Sequence, residues 1–233
     1  RTARYLQGME KGDPRIFVYP AYTRAERLAD LVLHVAGVGA ALVAAPALIA
    51  VAAVWHADVP AVAAAAVYAL SLVAMFGASA LYHLVPAPEW KARLRRLDHA
   101  AIYVKIAGTY TPFAVLFAGA QAALILAGIW GAALVGAAMK VLAPGRFEWL
   151  TLALYLAMGW AVLVIGGPIL EGLSTASIVL ICVGGALYTL GVGFHLWDSL
   201  PFQNAIWHAL VLAASFVFYA AIVTELVRSA PAL

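Results

Sequence analysis

Long runs of Ala, Val, Leu and Gly, broken at intervals by short polar or Pro- and Gly-containing stretches, set the pattern of this chain. Such runs predict transmembrane helices, each needing roughly 20 apolar residues to cross the hydrocarbon. Thr23 and Glu26 have the spacing of a capping box, so the first span should open there and run apolar from Leu28 to Val54. His56, Ala57, Asp58 and Pro60 make a turn, and a second span follows from Ala61 to His83, stopped by "VPAPEW". Further spans are predicted at Leu97 to Ala118, Gln121 to Val141, Phe147 to Gly166, Thr175 to Phe194 and Phe202 to Val227. The breaks fall at Gly119, "APGR", "GGP" and "DSLP".

Composition agrees with this pattern. Of 233 residues, 66% are hydrophobic and 11% charged, where a soluble domain carries about a quarter charged. The mean hydropathy is +0.97. The expected fold is therefore all-α, an integral membrane protein built as a seven-transmembrane helix bundle. The expected organisation is a cytoplasmic N-terminal segment at 1–26, the membrane domain at 27–228 and a tail at 229–233. The chain begins at Arg1 as a trimmed chain would, and its polar first 26 residues lead into no short apolar region with a cleavage site, so a cleaved signal peptide is not expected. Cys182, the single cysteine, reads as a small core residue.

Charge sets the orientation. Six cations precede the first span (Arg1, Arg4, Lys11, Arg15, Arg24, Arg27), four lie between the second and third (Lys91, Arg93, Arg95, Arg96) and two between the fourth and fifth (Lys140, Arg146). On the other side stands Arg228 alone, which predicts a cytoplasmic N-terminus and an external C-terminus. The segment "EWKARLRRL" reads as interfacial, with Trp90 and Leu94 toward lipid. A basic balance of this kind is membrane anchoring and calls for no nucleic acid. The expected location is the cell inner (plasma) membrane and the expected partners are membrane lipids.

With that orientation, the intramembrane polar residues gather at the cytoplasmic end: His83, Asp98, His99, His195, Asn204 and His208. Ser79 and His83, and likewise Asn204 and His208, are four residues apart and face one way on a helix. Imidazoles and a carboxylate from several helices at one depth are what a metal or proton-handling site requires, with zinc the natural ion. Asp98 is placed in the first turn of its span, where unpaired N–H groups and the helix dipole favour a negative charge. His34, beside Asp30, reads as a helix-packing hydrogen-bonding residue, and His56 as a solvated loop residue. Lys105 either pairs with Asp98, snorkels or bonds a carbonyl. His99, about 100° round the helix from Asp98, should turn toward neighbouring helices or the interface.

"SALYHL" (79–84), "LDHAAIYVKIAGTYTPF" (97–113) and "AIWHALVLAASFVFYAAI" (205–222), with "AERLADLVLHVAGVGAAL" (25–42), resemble the signature blocks of the hemolysin III family, bacterial relatives of the adiponectin receptors in the progestin and adipoQ receptor superfamily. The resemblance extends over essentially the whole chain. It implies a seven-helix membrane protein with an intracellular zinc held by a His of the second helix and an HxxxH pair of the seventh, a Ser and an Asp standing nearby. Carried over, the metal positions are His83, Asn204 and His208, and the neighbouring groups with a catalytic part are Ser79 and Asp98. Asn204 departs from the pattern, since a neutral amide oxygen is a poor zinc ligand. The vacancy leaves three readings open: weak binding by two His and water, recruitment of Asp98 or His195, or loss of the metal. Ten residues after His208, where members often carry another His, stands Phe218. Two functions follow: a zinc-dependent hydrolase of lipid amide or ester bonds, as the likeness to alkaline ceramidases implies, and a non-enzymatic sensor or regulator of membrane lipids. Pore formation ranks third.

Overall fold

A computed structural model of the chain describes residues 23–231. Among them are nine α-helices: α1 (Arg24–Trp55), α2 (Val59–Leu84), α3 (Pro88–Phe117), α4 (Ala122–Leu142), α5 (Glu148–Trp160), α6 (Val162–Ile165), α7 (Gly167–Gly172), α8 (Thr175–His195) and α9 (Gln203–Arg228), with a 3-10 turn at Gly119–Gln121 before α4. Six segments are long and apolar enough to cross a membrane: α1, α2, α3, the turn with α4, α8 and α9. The cations Arg1, Arg4, Lys11 and Arg15, most of the 1–26 segment and the last two residues of the tail lie outside the described residues.

Helix α1 starts as its sequence dictates. Thr23 Oγ1 accepts from the Glu26 amide, and the Glu26 carboxylate accepts from the Thr23 amide at 2.8 Å. That carboxylate does a second job, since its other oxygen accepts from the Phe202 amide at 3.1 Å. Phe202 sits in the left-handed region (φ 58°), a strained conformation for a bulky residue, immediately before α9. One buried acid therefore joins the beginnings of two helices far apart in sequence. From there α1 and α9 run side by side in the same direction: Asn204 meets Asp30, Tyr219 donates to the carbonyl of Ala44 at 3.1 Å, and His56 meets the carbonyl of Leu226 at 2.8 Å. The end holding Glu26 and Phe202 is here the near end, and the end holding His56 and Leu226 the far end.

Two boundaries differ from the sequence reading in ways that matter for the site. The segment "EWKARLRRL", expected to turn Trp90 and Leu94 toward lipid, is the continuous first part of α3, which begins at Pro88; Trp90 is exposed as expected, whereas Leu94 is buried against the bundle. Asp98 thus lies some ten residues, about 15 Å, inside the helix. The expectation that a helix start stabilises its charge fails, because the dipole acts only within the first turn.

The expected fifth span is interrupted instead of continuous. Tyr110 of α3 inserts its hydroxyl into the ladder, donating to the carbonyl of Met158 and accepting from the amide of Val162, both at 2.8 Å. Those two backbone groups would otherwise bond each other across one turn, so a tertiary contact divides α5 from α6. The chain still advances from Glu148, paired with Lys140 at the near end, to Gly172, which packs against Phe117 at the far end.

Small residues let these helices approach closely, as lipid-embedded helices require. A Cβ on Gly136 of α4 would stand 2.2 Å from the ring of Tyr103, and one on Gly184 of α8 would stand 2.6 Å from Phe218. Phe218 is therefore a packing residue of the α8–α9 seam. Cys182, expected in the core, is exposed on the outer face of α8.

Candidate metal centre

Four helix segments deliver the site at the near end. The shared Glu26 brings the first turns of α1 and α9 together, which sets Asp30 and His34 against Asn204 and His208. Helix α2 ends there and contributes Ser79 and His83, each pair being four residues apart and so on one face. Helix α3 passes alongside with Asp98.

Three imidazoles converge. The ring centroids of His34, His83 and His208 lie 4.7, 4.4 and 4.6 Å apart, with His34 stacked on His83 and His208 edge-on to both. One ligand nitrogen from each lies within 4.8 Å of the others, so these three side chains could hold a metal ion. Asp30 sits beneath them: its carboxylate oxygens are 3.4 Å from Nδ1 of His83, 3.4 Å from Nδ1 of His208 and 3.6 Å from Nδ1 of His34. On the opposite flank the Ser79 hydroxyl lies 3.2 Å from Nε2 of His34 and 3.4 Å from Nε2 of His208. The partly buried Asp98 carboxylate faces both that hydroxyl and the His208 ring.

The residues singled out from sequence meet here, in altered parts. His83 and His208 are central, Ser79 bridges two rings, and Asp98 borders the group through Ser79. Asn204 arrives as a donor: its Nδ2 gives one hydrogen to Asp30 Oδ1 at 2.8 Å and lies 3.3 Å from Nδ1 of His83. The third imidazole is neither His195, whose ring packs on Trp207 at 5.2 Å, nor a substitute from α3, but His34 of α1. His34 does make the packing bond expected of it, between Nδ1 and the Asp30 carbonyl at 2.7 Å, and it also joins the cluster. Asp30 went unremarked as a site residue. The signal was present, because Asp30 and His34 repeat the four-residue spacing that marked the other two pairs.

Three further residues are placed by tertiary contact. Lys105 neither reaches Asp98 nor snorkels: only 2% exposed, its Nζ donates to Thr109 Oγ1 at 2.8 Å and lies 4.2 Å over the ring of Tyr68. His56 is not solvated, its ring being held at the far end against the Leu226 carbonyl. His99 turns away from the cluster toward Arg95, Lys140 and Glu148.

A divalent transition ion fits these donors. Imidazoles and carboxylates are its common ligands, and Nδ1 of His208 is buried without a hydrogen-bond partner among the described residues, although a nitrogen so placed normally has one.

The chain is similar to known proteins over most of its length. A family model described as "Haemolysin-III related" covers residues 23–219. The chain is 38% identical over 197 residues to "Hemolysin-3" of Bacillus cereus, spanning 83% of this chain and 89% of that protein. It is 33% identical over 201 residues to "Hemolysin-3 homolog" of Bacillus subtilis (strain 168), spanning 85% and 93%. It is also 33% identical over 175 residues, 70% of each chain, to "Monocyte to macrophage differentiation factor" of Homo sapiens. Matched over most of its length by that family model and by relatives of 38% and 33% identity, and built of apolar helices long enough to cross a membrane, the chain is a multi-pass membrane protein of the haemolysin-III-related family.

Proposed function

We propose that the protein is a zinc-dependent membrane hydrolase acting on the amide or ester bond of a lipid. The observation that carries this reading is the convergence of His34, His83 and His208 within one ion's reach, flanked by Ser79 and Asp98. Bound there, zinc supplies a Lewis acid for a carbonyl oxygen and lowers the pKa of water toward 7. Ser79 steadies two rings through one hydroxyl and thereby fixes which faces of His34 and His208 are free. Asp98 is positioned to take a proton from the attacking water and return it to the leaving amine or alcohol. A small crevice lined by Glu26, Asp30, Phe202, Asn204 and Ala205 opens at the near end beside Asp30. The acyl chain would lie along the outward apolar residues of α1 and α2, such as Val35 and Leu81.

The same proposal places the protein in the inner (plasma) membrane with seven passes, the near end cytoplasmic and the C-terminus outside. The parallel course of α1 and α9 supports it, because two parallel helices in one bundle need an odd number of crossings between them; α2, α3, α4 and α8 supply four, and the interrupted α5–α7 segment supplies the fifth.

The test is purified protein in nanodiscs incubated with ceramide and related lipids, with and without chelator. Fatty-acid release that disappears on chelation and returns with zinc is expected. A second reading, a non-enzymatic regulator responding to the surrounding lipid, is favoured by Asp30, whose carboxylate faces all three imidazoles and can hold them in place without catalysis. A metal-loaded protein with no release from any lipid amide or ester would select it, and conductance across a planar bilayer would select a pore instead.

A further inference from the structure

The carboxylate–imidazole distances around Asp30 are longer than those of a closed, hydrogen-bonded pair. A carboxylate paired directly with an imidazolium closes to about 2.7–2.9 Å. Here both carboxylate oxygens stop 3.4 Å short of an imidazole nitrogen, one each from His83 and His208.

The Asn204 amide orders the atoms on one side of this gap. Asp30 Oδ1 can only accept, so the Asn204 atom 2.8 Å from it must be the amide nitrogen. That nitrogen also lies 3.3 Å from Nδ1 of His83, where its second hydrogen meets a lone pair. With Nδ1 of His83 as the acceptor of that hydrogen, its lone pair lies on the side of Asp30 Oδ2, 3.4 Å away. Nδ1 of His208 lies 3.4 Å from Asp30 Oδ1 and has no hydrogen-bond partner among the described residues, so it too is free to serve as a ligand atom. Lone pairs aimed at one another across a partly buried gap repel, and a cation between them turns that repulsion into attraction. Donors about 2.1 Å from a tetrahedral ion stand about 3.4 Å from each other, which is the spacing found.

On the reading that the site binds a divalent transition metal, we propose that Asp30 is itself a ligand, together with Nδ1 of His83 and Nδ1 of His208, and that Asn204 positions Asp30 instead of binding the ion. The ligand set is then two imidazoles and a carboxylate, the kind that serves zinc hydrolases and leaves a position for water. His34 supports this set: its Nδ1 is engaged with the Asp30 carbonyl at 2.7 Å, and it fixes the α1 turn that carries the carboxylate. Asn204 is a positioning residue, since its amide holds Oδ1 and marks the His83 lone pair.

The experiment uses the full chain in detergent, stripped and reloaded with Co(II), with stoichiometry, affinity and the visible spectrum measured. One Co(II) per chain is expected, and Asp30→Asn should weaken binding by more than about 100-fold, beyond the 10–100-fold typical of a group outside the coordination sphere. Asp30→Cys supplies a readout that a structural role cannot produce: a thiolate bound to Co(II) gives a near-ultraviolet charge-transfer band, absent from the parent protein despite Cys182. Asp30→Asn combined with Asn204→His should recover most of the affinity, with an all-nitrogen spectrum. If the parent binds Co(II) while Asp30→Asn matches it in affinity and spectrum, or Asp30→Cys binds Co(II) without the band, Asp30 is not a ligand and the metal site stands without it. If the parent binds no ion, the metal reading falls, and this assignment with it.

Discussion

The bundle has a polar cluster at each end, and they are built on opposite terms. At the far end Glu225 is fully buried, yet its carboxylate is closed off: it accepts from the Ser174 amide at 3.0 Å, the Ser174 hydroxyl at 2.5 Å and Arg228 Nε at 2.7 Å. His56 and the Ser229 hydroxyl complete the group by bonding backbone carbonyls at 2.8 and 2.6 Å. At the near end the acid–imidazole separations are 3.4 to 3.6 Å, and one ring nitrogen is left over. Burial of charge is common to both ends, so burial does not identify a site. What separates them is whether the lone pairs are spent, and only the near end keeps donors in reserve for something from outside.

The strongest attack on this contrast is chemical. Asp98→Ala should lower lipid hydrolysis by about 100- to 10,000-fold, the range of a lost general base, while metal content, measured by elemental analysis, changes little. His99→Ala, one residue away, should leave the rate within a few-fold, because that ring faces Lys140 and Glu148. Equal losses would erase the distinction between the two faces of α3.

The next test exchanges the properties of the two ends. Glu225→Ala removes the buried acceptor of the partly buried Ser174 amide and hydroxyl and of Arg228, and should cost about 3 kcal/mol in thermal or denaturant unfolding, with metal binding unaltered. His83→Ala should do the reverse, abolishing tight metal binding while shifting the chelated protein's melting far less. If His83→Ala destabilises the chelated protein as severely as Glu225→Ala, the near end is structural.

A smaller effect is expected midway along the bundle. Tyr110→Phe removes the hydroxyl that bridges Met158 and Val162, and the cost should be about 1–2 kcal/mol, reduced to the extent that the freed amide and carbonyl bond each other and α5 runs on into α6. Hydrogen exchange at Val162 reads the outcome directly: slower exchange in the variant would mean that the ladder has closed. The smallest effect belongs to the Lys140–Glu148 pair, 2.5 Å apart with the acid half exposed. Glu148→Gln should cost less than about 1 kcal/mol, and raised salt should shrink the difference. A larger cost there would make the near end's rim as structural as the far end.

Where sequence reasoning succeeded and failed follows one rule. Local signals survive: the Thr23–Glu26 cap, the breaks that bound α1, α2, α8 and α9, and the four-residue pairs Ser79–His83 and Asn204–His208 all reappear. The start of α3 was misplaced because the charged stretch before Leu97 looked like a loop on hydropathy, although nothing in it stops a helix after Pro88. The division of α5 from α6 was illegible, since its cause is a hydroxyl on another helix. His34 was undervalued because a lone imidazole in an apolar helix has an adequate local explanation in the carbonyl four residues back, and that bond is indeed made.

By itself, then, the sequence determined that this chain lives in a membrane, that four-residue pairs of polar groups lie near the ends of two of its helices, and to which family it belongs, because apolar length, helical periodicity and motif order are properties of a linear string. Tertiary structure decided which of those groups meet. The Glu26–Phe202 bond joins the starts of the parallel helices α1 and α9, and their pairing sets Asp30 opposite Asn204 and His208. The physical reason is that a coordination site is a matter of a few ångströms among residues up to 178 positions apart, Asp30 and His208 among them, and such distances are fixed by how buried surfaces and hydrogen bonds are jointly satisfied, not by any residue's neighbours in the chain.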